Sequence, residues 1–298
     1  MRGSTQAEQP HAPGDERRRR HRAFGTRAAT VVRYAALALA SLFVLAPVIW
    51  TLSTSLKTVQ GITAYPPQWV PEPLTAEHYV TVMARTRIPR YLYNTSAVGL
   101  LTILVTLLVG TLAGYGTARF RFRGKETFLF MLLATSMIPG IAVLVALYLL
   151  ASRVGLYDTH AALVLIYSAM QVPAITWVMQ AFIEGIPKEL DDAAMIDGCS
   201  RWQVLFRIIL PLAQPGLAAA AILVFVEVWN EFLISYSLTI STDKRLLTTG
   251  LYFFVTAFGI EWGSLTASVI LSFIPVLVLF LLLQQRFIEG LTKGSIRG

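Results

Sequence analysis

The chain has 298 residues, 55% of them hydrophobic and only 14% charged, with a formal net charge of +8. A soluble domain carries about 25% charged residues, so this composition argues against a soluble enzyme and against a disordered chain, and for a polytopic membrane protein. One cysteine, Cys199, excludes an internal disulfide. The four histidines, His11, His21, His78 and His160, show no ligand spacing, so no metal site is expected.

Residues 1–30 carry the basic block Arg17-Arg18-Arg19-Arg20, with Arg22, Arg27 and Arg33 close by. Such a block binds nucleic acid or anionic lipid. The long apolar run that follows directly favours an anchor at a lipid surface, and no nucleic-acid partner is expected. The segment is otherwise polar and is expected to be a disordered cytoplasmic tail.

A membrane-spanning helix needs about 20 mostly apolar residues. Six stretches within a transmembrane domain over 31–290 meet this: 34–55, 95–117, 127–152, 160–183, 208–226 and 264–283. The first has a basic flank like a signal peptide, but its apolar run is too long, and it is read as a retained helix. The third contains Pro139-Gly140, where a kink or re-entrant break is expected. Pro173 is positioned to bend the fourth, and the fifth has room to run on past Glu227 toward Phe232.

Orientation follows from Lys and Arg. With both termini cytoplasmic, eighteen of these residues lie inside and seven outside, and the loop Arg119-Phe120-Arg121-Phe122-Arg123-Gly124-Lys125 is the strongest internal contributor.

The connection over 184–207 differs from the other short loops. Pro187 suits a first helical turn, and Glu189, Asp191 and Asp192 favour the positive end of the helix dipole. Leu190, Ala193, Ala194 and Ile196 continue a short amphipathic helix, and Gly198 can take the left-handed conformation that ends it. Ser200 with Gln203 then makes a capping-box pattern for a second helix, on which Trp202, Phe206 and Ile209 recur at helical spacing. A connector resting on lipid would need large apolar side chains. The small Ala193 and Ala194 instead permit close approach of another protein.

The stretch from Glu189 to Pro211 resembles the EAA loop of permease subunits of bacterial ABC importers: Asp192-Ala193-Ala194, then Gly198, then Leu210-Pro211, with Asp192 where Glu is usual. Tyr93-Asn94-Thr95-Ser96, Pro187-Lys188-Glu189-Leu190, Trp229-Asn230-Glu231-Phe232 and the tail 290–298 are similar to the carbohydrate-type, MalG-like permeases. The resemblance implies an all-α fold of six transmembrane helices, that of a type I importer permease, in the bacterial cytoplasmic membrane. It implies a non-catalytic subunit that moves a sugar or sugar derivative inward by alternating access.

The implied partners are a second homologous permease, two copies of a cytoplasmic ATPase that binds ATP and Mg, an extracytoplasmic solute-binding protein and membrane lipid. This chain, with no phosphate-cradling G-x-x-x-x-G-K-[ST] loop, is expected to bind no cofactor itself. By carry-over, Glu189, Asp192, Ala193, Ala194, Ile196, Asp197, Gly198, Leu210 and Pro211 are ATPase-coupling positions. The tail 291–298 is the second contact, through Gly294, Ser295, Ile296, Arg297 and Gly298; a free basic tail is the alternative.

Asn94, Trp229, Asn230 and Glu231 combine an aromatic ring with hydrogen-bonding groups, the chemistry that binds a sugar, and are candidates for the translocation path. Their other reading is an interfacial belt. Gly110, Gly114 and Gly116, with 218–221, permit close helix packing, within the chain or against the second permease. Three alternatives to a sugar permease remain: a permease for another small solute, an ion-coupled carrier or channel, and a membrane-embedded enzyme. The span centres lack the ionisable residues that this enzyme would need.

Overall fold

A computed structural model describes residues 13–256 and 259–295, with side chains over 30–256 and 259–285. The chain divides into two compact units, Met1–Ser53 and Thr54–Gly298.

Helix α1 (Pro13–Ser55) supplies nearly all of the first unit, and its apolar part, Thr30–Ser55, is long enough to cross a membrane. The helix begins well before the expected position near residue 34. The backbone over 13–29, expected to be disordered, is helical, which agrees with Pro at the first turn and with the high helix propensity of Arg and Ala.

In the second unit, α2 (Val59–Thr63) and α3 (Glu77–Arg85) are short and precede the long α4 (Ile88–Arg119). α4 starts on Pro89 in its first turn and buries one continuous face, from Ile88 through Thr106 and Gly114 to Thr117. Then come α5 (Lys125–Ser136) and α6 (Gly140–Arg153), which meet at 92°. The break falls at Pro139, as the sequence indicates: Pro139 is extended (ψ 130°) and caps α6.

α7 (His160–Glu184) runs without interruption through Pro173, and Thr159 caps it by accepting a hydrogen bond from Ala162 N. α8 (Glu189–Ile196) and α9 (Arg201–Val204) lead through a π-helical turn (Leu205–Ile209) into α10 (Leu210–Leu212). A bend of 76° then opens α11 (Gln214–Asn230). The expected fifth span over 208–226 is therefore bent near its start, with Leu210-Pro211 on one side of the bend and α11 on the other. Pro211 and Pro215 flank Ala213, where two missing N–H donors weaken the helix ladder. α11 does extend past Glu227, to Asn230.

α12 (Leu233–Leu238), a 3-10 turn (Thr242–Lys244) and α13 (Leu247–Tyr252) follow, then a two-residue hairpin of β1 (Val255–Thr256) with β2 (Gly259–Ile260), antiparallel with Val255 opposite Ile260. α14 (Trp262–Ser295) closes the described chain. Gly294 and Ser295 thus continue a helix rather than starting a separate tail, and Ile296, Arg297 and Gly298 lie outside the described residues. Among the described residues, four helices are long and apolar enough to span a membrane, up to six spans if each bent pair counts as one.

α4 and α7 form the central pair, with α11 laid against both and against α14. One core joins α4, α7 and α11 to the segment from α8 to α10 through Ile175, Met179, Ile183, Ala194 and Leu205. A second joins α3, α4, α11, α13 and α14 through Ile88, Phe225, Trp229 and Leu247. The α4–α7 approach depends on a missing side chain. A Cβ at Gly114 would sit 2.9 Å from the backbone nitrogen of Gln180 and 3.1 Å from the carbonyl of Thr176. Backbone cannot step aside as a side-chain end can, so this glycine packs within the chain.

Gly114→Val is accordingly expected to lower stability by about 1–3 kcal/mol, the usual range for overpacking, read as a fall in the thermal unfolding midpoint of the detergent-purified protein.

Candidate functional site

The segment from α8 to α10 is built by local rules that its sequence states openly. Glu189, Asp191 and Asp192 occupy the first turn of α8, against the positive end of the dipole. At the other end Gly198 adopts φ +87°. Gly198 N donates to the Met195 carbonyl at 3.1 Å and Cys199 N to the Ala194 carbonyl at 3.0 Å, the paired bonds of a Schellman stop. Ser200 then opens α9 with a complete capping box: Ser200 Oγ accepts from Gln203 N at 3.3 Å, and Gln203 Oε1 accepts from Ser200 N at 2.7 Å. The two helices form an elbow with a fixed turn.

The faces of α8 have opposite fates. Asp191 and Ala194, three residues apart and therefore on one side, are buried; Glu189, Asp192, Ala193, Ile196, Asp197 and Gly198 are exposed. Ile196 is 86% exposed, an unusual position for a large aliphatic side chain. Ala194, expected on the outward face beside Ala193, instead packs into this chain's own core at 6% exposure. Leu210 is partly buried against the same core, while Pro211 is exposed.

Sequence reasoning missed the residue pair that seats the elbow. Arg119, the last residue of α4, donates from Nε to Asp191 Oδ2 at 2.8 Å, and from Nη2 to the Ile186 carbonyl at 3.0 Å. Both side chains are almost fully buried, at 6% and 7% exposure. The guanidinium fork thus holds the loop before α8 and α8 itself with two separate bonds. Arg201 extends the seat, lying 4.8 Å over the Phe120 ring, which in turn meets Tyr115 edge-on at 6.0 Å. The sequence read Arg119 only as a topogenic charge and Asp191 only as a dipole partner. The i, i+3 pairing of Asp191 with Ala194 was the available clue that Asp191 faces inward.

The proposed path residues are used differently. Asn94 is fully buried and its Nδ2 donates to the carbonyls of Asp243 at 2.8 Å and Arg245 at 2.9 Å, pinning the loop before α13 to α4. Trp229 is buried and stacked on Phe225 with ring centroids 5.0 Å apart. Glu231 caps α12, accepting from Ile234 N at 2.7 Å and Ser235 N at 3.0 Å, and takes the Tyr167 hydroxyl at 2.5 Å. Asn230 is exposed, with its amide donating back to the Val226 carbonyl. Within this chain Asn94, Trp229 and Glu231 thus serve the fold.

Outside the spans, the loop after α12 is secured from another side. Asp158 accepts hydrogen bonds from Ile240 N, Ser241 N and Ser241 Oγ. Burial alone would raise its pKa, but the Ser241 and Ile240 bonds outweigh this and hold the carboxyl below its usual value. Among the described residues no group of three or more His, Cys, Asp or Glu is placed to hold a metal ion.

A family model described as the binding-protein-dependent transport system inner membrane component matches residues 106–293. The sulfoquinovosyl glycerol transport system permease protein SmoH of Agrobacterium fabrum is 34% identical over 252 residues, covering 85% of this chain and 88% of that one. The trehalose/maltose transport system permease protein MalG of Thermococcus litoralis is 34% identical over 268 residues, covering 87% and 94%. Among solved structures, a bacterial ABC transporter involved in the import of the acidic polysaccharide alginate superposes with a TM-score of 0.75 over 88% of this chain and 98% of that one. At 20% identity, that likeness speaks for the fold.

Arg119→Ala leaves Asp191 as a buried unpaired charge and is expected to cost about 3–5 kcal/mol, whereas an apolar pair of similar volume, Arg119→Met with Asp191→Leu, recovers most of that loss. Thermal unfolding of the three proteins side by side checks both halves.

Proposed function

We propose a mechanical role in sugar import for this chain, which belongs to the family of binding-protein-dependent transport system inner membrane components. As a member it is a multi-pass membrane subunit of an ABC transporter. The finer reading is that it moves a sugar or sugar derivative into the cell. Support comes from its relatives, whose names specify trehalose/maltose, sulfoquinovosyl glycerol and diacetylchitobiose, all glycosides or oligosaccharides.

In this reading the elbow receives work from a separate ATPase that binds ATP and Mg. The single observation that carries it is the division of α8: one face fastened to the end of α4 by the Arg119 fork, the other presenting Glu189, Asp192, Ala193, Ile196 and Asp197 to solvent. A push on the outer face reaches α4 through two bonds of hydrogen-bond length. It passes to α7 across the contact at Gly114, where no side chain cushions the approach. α4 is 32 residues long, about 48 Å at 1.5 Å per residue. A tilt imposed at Arg119 therefore appears at the far end, at Ile88 and the loop that Asn94 pins.

Such a lever suits alternating access, in which a bundle rocks between openings to either side. The partners this mechanism requires are a second permease to complete the path, two ATPases and an extracytoplasmic binding protein to deliver the sugar. The excess of Lys and Arg on the elbow's side supports a reading in which the elbow and both termini are cytoplasmic. Gly294 to Gly298 stand as the second ATPase contact.

Gly198→Val tests the elbow. A Cβ at Gly198 would meet no atom within 4 Å, so only the φ of +87° opposes the change, and left-handed backbone is strongly unfavourable for a β-branched residue. The variant is expected to insert and assemble normally, while ATP-driven sugar uptake in vesicles carrying the partner subunits falls at least about tenfold, the effect of roughly 1.4 kcal/mol on the coupling step. Full uptake by this variant would overturn the coupling role.

A further inference from the structure

Two hollows in the second unit lie end to end along α4. The first is a groove of about 410 Å³ between α4 and the start of the fifth span, walled by Leu104, Leu107, Leu108, Leu205, Phe206 and Leu217; Thr111 is the one lining residue with a side-chain polar atom. The second is a basin of about 320 Å³ whose wall includes Arg119, Arg121, Lys188 and Arg201. The groove ends at Leu112 on α4 and Leu205 on the π-helical turn, and the basin begins at Tyr115 and Val204. Leu112 and Tyr115 are one helical turn apart on the same side, and Val204 and Leu205 are adjacent. The apolar trough and the basic basin therefore adjoin.

The depth fits a bilayer. The apolar run of α4 centres near Leu104, and Arg119 lies 15 residues on, about 22 Å at 1.5 Å per residue. That is just beyond the roughly 15 Å half-thickness of the hydrocarbon core, at the level of lipid headgroups. The groove occupies the hydrocarbon zone on the same side.

Charge decides what the basin takes. Four cations face two carboxylates, Asp191 and Asp192. Arg119 is matched by Asp191, while Arg121, Lys188 and Arg201 form no ion pair among the described residues. The basin thus keeps a net charge of about +2, suited to an anion. It also has an unmet need. Asp191 Oδ1 is buried without any hydrogen-bond donor, in a residue 5% exposed, and a buried acceptor left unmatched is costly. A ligand with a negative phosphate, a hydroxyl to donate and an apolar chain would satisfy all three features.

We propose that the groove and basin together bind one anionic phospholipid with a hydroxyl-bearing headgroup, such as phosphatidylglycerol. An acyl chain lies in the leucine groove, the phosphate sits among Arg121, Lys188 and Arg201, and a headgroup hydroxyl donates to Asp191 Oδ1. The lipid would then touch the seat of the elbow itself, tying transport to the anionic content of the inner leaflet. This goes beyond the sugar-import reading and does not depend on which solute is carried.

Native mass spectrometry of the intact transporter complex, extracted in mild detergent from vesicles of equal phosphatidylglycerol and phosphatidylcholine, tests it. The complex is expected to retain one phosphatidylglycerol in preference to phosphatidylcholine. Arg121→Gln with Arg201→Gln, both exposed positions, should weaken retention roughly 25-fold, from about fivefold for each headgroup-level cation. Leu108→Trp, which fills the groove without altering the basin, should also reduce retained lipid while the complex still copurifies. Equal retention of the two lipids, or unchanged phosphatidylglycerol in both variants, overturns the proposal. So does a Leu108→Cys variant that cross-links in full yield to the second permease, because a partner helix would then occupy the groove.

Discussion

The buried pair of Arg119 and Asp191 is the constraint on which the second unit's architecture turns. Two charges removed from water cost more than their attraction returns unless their remaining hydrogen-bonding groups are matched. Arg119 meets its side of that condition with a second bond, to the Ile186 carbonyl, and so fixes both the loop and the helix that follows it, while Asp191 Oδ1 remains without a donor. A single aliphatic contact could hold α8 against α4, but it would tolerate sliding by a fraction of a residue. A planar fork with two acceptors tolerates neither sliding nor rotation. In the coupling role proposed above, where displacement passes from one end to the other, resistance to slip matters more than net stability.

The rest of the molecule keeps that displacement intact. α4 meets α7 where Gly114 lets the backbones approach closely, so in the proposed mechanism the two helices act as one body. Close packing transmits strain because interiors have few voids to absorb it. The bends at Pro139 and at Ala213 stand at the boundaries of this body, and interrupted helix ladders are where a bundle can flex. At the far end of α4, Asn94 grips two carbonyls of one loop, those of Asp243 and Arg245, which ties that loop to α4.

The elbow was legible in the sequence because each of its parts obeys a rule spanning four or five residues. Acidic residues in the first turn of α8, Gly198 at its stop and Ser200 with Gln203 at the next start are local statements, and local geometry realises them. The break at Pro139 was readable for the same reason. The Arg119–Asp191 pair was not, because 72 residues separate its members and nothing in either neighbourhood names the other. The path residues pose a different question. Asn94, Trp229 and Glu231 carry groups that would recognise a sugar, but a buried amide pinning a loop, an indole stacked on a phenyl ring and a carboxylate capping a helix draw on the same side chains. Composition cannot separate recognition of a ligand from recognition of the chain's own backbone. Only the direction of the side chain can.

That distinction runs through α8 as well and gives the outer face its meaning. Asp191 and Ala194 are committed to this chain, one by an ion pair and one by packing. Asp192 and Asp197 make no ion pair among the described residues, and Ile196 stands 86% exposed beside them. A short helix that leaves Asp192, Asp197 and Ile196 to solvent gains little for its own fold from them. A helix selected only for stability would place Leu190 or Ile196 inward and small or polar groups outward. Keeping Ala194 inside and Ile196 outside costs burial that α8 could have had, and that cost is understandable if a second protein supplies the missing surface.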